Sequence, residues 1–88
     1  MKLKYDKGIW KIGDYITNTN RPKSKGYIDV IVIWKVIKSV ALESPGEFEL
    51  VLVWEQEPGQ YEANPKGNVY HQTKIKLAIT PQLIAAVI

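Results

Sequence analysis

Cysteine is absent from this 88-residue chain, and histidine and methionine occur once each. Without thiols there is no disulfide framework and no thiolate metal site, which leaves the cytosol as the default compartment. A single imidazole, His71, has no partner at the spacing a metal site uses, so the sequence implies no metal and no cofactor. Long apolar runs are missing too. The longest stretch without a formal charge, residues 77–88, holds only 12 residues, too few to span a bilayer, and the N-terminus "MKLKYDKG" lacks the apolar core of a signal peptide. No membrane association is expected.

Signatures of chemistry are equally sparse. There is no P-loop, no G-x-G-x-x-G and no glycosylation sequon. None of Ser24, Ser39 and Ser44 stands in a G-x-S-x-G elbow. Glu55 and Glu57 lie two apart, with Glu47 and Glu49 upstream, and paired carboxylates can serve acid–base work on a glycoside. The same spacing suits a solvated strand face that discourages edge pairing, and this is the preferred reading. With no convergence of titratable groups, no catalytic residue is assigned and no enzyme is expected.

What is present describes a single small domain over residues 1–88. Apolar residues make up 45% and charged residues 24%, the balance of a globular chain. A chain this short buries only about 60–65% of its unfolded surface, so nearly all its apolar area is needed for one core. The net charge of +3 conceals segregation. Residues 1–38 carry nine bases and three acids, residues 39–63 carry six Glu and no base, and residues 64–88 carry three Lys and no acid. Such blocks build oppositely charged faces or place Lys and Glu on neighbouring strands.

Strand signals dominate. "YIDVIVIWKVIK" (27–38) is dense in β-branched and aromatic residues without Gly or Pro, and "EFELVLVWEQE" (47–57) alternates with period two. Joined through Pro45-Gly46, they predict a long antiparallel hairpin. Ile28, Val30, Val32, Trp34 and Val36 would then share one face with Phe48, Leu50, Leu52 and Trp54. "QTKIKLAI" (72–79) predicts another strand with Ile75, Leu77 and Ile79 inward and Lys74 and Lys76 outward. Residues 58–68 predict a long surface loop. Residues 8–18 place a turn at Gly13-Asp14 between strand-like residues. Thr80-Pro81 is a helix-start signal, followed by one helical or 3₁₀ turn and a docked or strand-like tail.

This layout resembles a small SH3-like β-barrel. The resemblance rests on "IWKIGDYI", the long hairpin and "IKLAITPQLIAAVI", and it implies an all-β barrel of about five antiparallel strands with one short C-terminal turn. The fold carries no activity with it.

Two binding functions follow from the residues. The first is non-specific nucleic-acid binding. Small barrels combine a basic groove with aromatics on which bases stack. The candidates are Lys7, Trp10, Lys11, Tyr15 and Tyr27, with Arg21, Lys23 and Lys25 from the segment "NTNRPKSKG" (18–26). A single Arg suits phosphate contact better than base-edge readout. The second is contact with a protein partner or another copy. The hairpin is apolar on its other face as well, through Ile31, Ile33, Ile37, Val51 and Val53, where a half-solvated sheet should be polar. Either the C-terminal tail or bending of the sheet covers that stripe, or it is an interface.

Overall fold

The computed structural model describes residues 1–18, 26–40, 46–70 and 73–88. Seven strands and one helix follow in order: β1 (Lys2–Asp6), β2 (Tyr15–Asn18), β3 (Tyr27–Asp29), β4 (Val32–Ser39), β5 (Glu47–Glu55), β6 (Lys66–Asn68), β7 (Lys74–Leu77) and α1 (Pro81–Val87). Every strand pair is antiparallel, and the sheet order is β3-β1-β7-β2-β4-β5-β6. The expected all-β class holds, with seven strands in place of about five. No helix among the described residues is long and apolar enough to cross a membrane.

Each additional strand has a physical reason. β1 alternates Lys2, Lys4 and Asp6 with Leu3 and Tyr5, so only two apolar side chains mark it. β6 reads "KGN" and lies within the expected surface loop. Its backbone completes the edge of β5, with Phe48 opposite Gly67. Gly67 gives the close approach its room: a Cβ would stand 3.0 Å from the Trp10 ring and 3.1 Å from Leu50 Cδ1. The expected strand 27–38 is two strands, β3 and β4, broken at Val30-Ile31.

That break explains the curl of the sheet. In a flat sheet β3 and β4 would be separated by four strand spacings, about 19 Å. Only Val30 and Ile31 join Asp29 to Val32, and three residue steps reach about 10–11 Å. The sheet must therefore roll until β3 at its edge meets the start of β4. The Val30 N–H donates to the Met1 carbonyl at 2.6 Å, and the Gln56 N–H donates to the Ile31 carbonyl at 2.9 Å, fixing both sides of the corner.

The corner also divides the core. Leu3, Ile28, Val30, Ile33, Leu77 and Leu83 form a first cluster. Trp10, Ile16, Val32, Trp34, Val36 and Leu50 form a second on the opposite side of β4. The expected single stripe from Ile28 to Val36 is thus split, because the chain turns between Val30 and Val32. Trp54 is a second correction. It joins the first cluster, while Phe48 and Leu52 pack on the second. The register slips between Ile33 and Trp34, so that Trp54 opposes Ile33 and Leu52 opposes Trp34, with Val53 the extra residue. A bulge re-aims the next side chain to the other face.

The helix α1 closes the first cluster. Thr80 is its N-cap, with Oγ1 accepting from the Leu83 N–H at 3.2 Å, and Pro81 opens the first turn. Both follow the start signal in the sequence, and the expected turn extends to a seven-residue α-helix. Leu83 is fully buried. The apolar tail therefore covers part of the second hairpin face, as one of the two expected solutions required.

Candidate binding surfaces

The outer face of the β1–β3 pair gathers the first set of candidates. Lys2 opposes Asp29 and Lys4 opposes Tyr27 across the ladder. In β1 the buried Leu3 faces inward, so Lys2 and Lys4 point to solvent. Tyr27 is 50% exposed directly beside Lys4. The chain leaves β2 at Asn18, in register with Lys74 of β7, and returns at Gly26, whose carbonyl accepts from the Tyr5 N–H at 3.0 Å. Arg21, Lys23 and Lys25 lie outside the described residues, between these two anchored ends. Lys7 follows β1 and is exposed, as is Lys11.

Acid residues in the basic third are largely occupied. Lys76 Nζ lies 3.6 Å from Asp6 Oδ2 and 3.8 Å from Asp14 Oδ2, and donates to the Ile9 carbonyl at 3.2 Å. Asp6 Oδ1 accepts from the Gly8 N–H and Asp14 Oδ2 from the Lys11 N–H, both at 2.7 Å. Two of the three Asp residues are thereby turned onto one lysine, leaving Lys2, Lys4, Lys7 and Lys11 facing solvent. Lys76 was expected to point outward, yet its side chain is only 12% exposed. Strand alternation gave the wrong environment because Lys76 shares its ladder row with Ile16, on the side of the second cluster. Its ammonium reaches the segment 7–14 by running its stem along apolar surface. Lys74 does likewise, with Nζ 5.0 Å from the Trp34 ring centroid.

Trp10 is not available as a stacking platform. It is only 4% exposed, packed on Phe48 at 5.9 Å between ring centroids and against Gly67. The Lys76 cluster pins the segment that carries it inward. Gly13, at φ +96°, makes the expected turn, and its N–H donates to the Val36 carbonyl at 2.8 Å. Tyr15 is half-buried against the first cluster, with Lys35 Nζ 5.8 Å from its ring. Tyr27 is the candidate aromatic left open to a base.

The hairpin candidates also divide. Ile33 is fully buried in the first cluster and cannot serve as an interface residue. Sequence alternation put it on the second face correctly, and α1 with β1 and β7 then covers that part of the face. Ile31 and Ile37 are each 45% exposed, Val53 is exposed at its bulge, and Val51 is half-buried. Ile37 is exposed because a second register shift, between Val36 and Lys38, leaves it unpaired.

Glu55 and Glu57 do not form a matched pair. Glu55 is half-buried and its Oε1 accepts from the Gly59 N–H at 2.9 Å, whereas Glu57 is exposed. His71 lies outside the described residues. Charge segregation resolves partly into cross-strand neutralisation: Glu49 stands between Lys38 on β4 and Lys66 on β6.

Compared with known proteins, the chain matches no family model, no curated protein and no solved structure. The functional reading therefore rests on the geometry above.

Proposed function

We propose that the protein is a non-catalytic module that binds nucleic acid through its phosphate backbone, with little preference for sequence. The observation that supports this reading best is the half-exposed Tyr27 set beside Lys4 on the outer face of β1–β3. Lys2 continues that face, Lys7 follows at the end of β1, and Gly26, which follows Arg21, Lys23 and Lys25 in sequence, is hydrogen-bonded to Tyr5 beside it. Lysines supply the long-range attraction to phosphates, and Tyr27 offers one face on which an unpaired base can stack. Lys76 meets both Asp6 and Asp14, so two acids of the basic third already have a cationic partner, while Asp29 stands exposed opposite Lys2. We take the curled sheet as an SH3-like arrangement and the cytosol as its compartment, in keeping with the absence of cysteine.

The test is a titration of labelled single- and double-stranded DNA and RNA at about 50 mM and about 200 mM salt, where counterion release shows itself. Affinity should fall many-fold across that range. Replacing Arg21, Lys23 and Lys25 by Ser should flatten the salt dependence. Tyr27→Ala should weaken single-stranded binding by about 1–3 kcal/mol and leave duplex binding nearly unchanged. Absence of binding at the lower salt concentration would discard the reading.

A further inference from the structure

The outer half of the hairpin carries one kind of charge on each strand, and we infer that this face pairs with the same face of a second copy of the chain. The occupant follows from the pattern. Val36, Leu50 and Leu52 point into or against the second cluster, so Val51 and Glu49, between and beside them on β5, face the other way. Lys35 opposes Val51 and is itself opposite Tyr15, while Lys38 opposes Glu49. Beyond the part covered by α1, this face therefore presents Lys35 and Lys38 on β4 and Glu47 and Glu49 on β5, around Val51. Ile37, 45% exposed at its bulge, adds an aliphatic contact.

A two-fold axis parallel to the strands, midway between β4 and β5, lays β4 of one copy over β5 of the other. Sheets packed in this way stand about 10 Å apart, with side chains from both faces filling the gap. Lys38 of one copy then meets Glu49 of its mate, and Glu49 meets Lys38, so the contact is satisfied twice by one arrangement. An axis perpendicular to the strands, in the same plane, would set lysine over lysine and is disfavoured by like-charge repulsion. In the single chain Glu49 also stands opposite Lys66, so that row reads lysine, glutamate, lysine from β4 to β6. The contact uses a different surface from the nucleic-acid reading and stands independently of it.

The test is sedimentation velocity on the full chain up to about 100 μM, a range that captures weak specific dimers. Wild type should form dimers. Lys38→Glu and Glu49→Lys should each dissociate, with Kd raised about tenfold or more, because each sets like charges face to face. An equimolar mixture of the two variants should dimerise again, since every facing pair is then opposite in sign. Far-UV circular dichroism checks that each variant is folded. Should Glu49→Lys fail to fold, Ile37→Glu at the exposed bulge replaces it, with loss of the dimer as the expected result. A monomeric wild type, dimers indifferent to these variants, or a mixture that stays monomeric would each overturn the inference.

Discussion

At the scale of single residues, the decisive positions are those whose chemistry and environment disagree at first sight. Lys76 is a charged residue on a strand of alternating pattern, yet it is mostly buried because two carboxylates and a carbonyl meet its ammonium. A buried charge is tolerated when it is paired and hydrogen-bonded. Trp10 lies between Ile9 and Ile12, which are both exposed, yet it alone of the three fills the second cluster. The link between them is spatial, since Lys76 holds Asp6, Ile9 and Asp14 around the segment that delivers the indole. Gly67 completes that pocket from the other side. Gly67→Ala should therefore destabilise the protein by about 1–3 kcal/mol through overpacking against Trp10 and Leu50. Urea denaturation followed by tryptophan fluorescence would measure it; an unchanged midpoint would show that the indole can move aside at no cost. None of this was legible in "PKGNV", because a close approach between distant segments leaves no local pattern.

At the scale of elements, strand existence was easier to read than strand continuity. β4, β5 and β7 each lie inside a stretch whose period or β-branched density announced them. The corner at Val30-Ile31 and the bulge at Val53 did not announce themselves, since both occur within unbroken apolar runs. Their consequences are large. The corner sends Ile28 and Val32 to different clusters, and the bulge sends Trp54 away from Leu52. Deleting Val53 would make Leu52 and Trp54 consecutive, which regularises the ladder and keeps Trp54 opposite Ile33 on the side of the first cluster. The expected result is a retained cooperative thermal transition, read by calorimetry, because both clusters keep their side chains. A deletion variant that loses its sharp transition would mean that the bend supplied by the bulge is itself needed for packing. The helix α1 was visible through Thr80 and Pro81, but its length was not. Seven residues do not hold a helix in water, so the burial of Leu83 maintains what the cap begins.

At the scale of the whole molecule, two clusters share one strand. Ile33 enters the first from β4, while Val32, Trp34 and Val36 enter the second from the other side. The radius of gyration, 12.1 Å, is that of one compact body of this length, about 12 Å. Loss of packing in either cluster should therefore reach the other through β4. Leu83→Ala, at the far side of the first cluster, should cost about 2–5 kcal/mol. Its unfolding should remain a single transition, with tryptophan fluorescence and far-UV dichroism coincident. Two separated transitions would show that the clusters melt independently. The amino-acid sequence by itself determined the all-β class, the hairpin strands, the turn at Gly13 and the capped start of α1. Each of these depends on local terms, such as side-chain branching, two-residue alternation and turn geometry, which act within a few neighbouring residues. Only the tertiary structure decided which apolar residues share a cluster, that Trp10 and Lys76 turn inward and that Ile37 stays out. Those outcomes depend on where the sheet bends and on which segments then collide, and that is settled by closing the chain on itself.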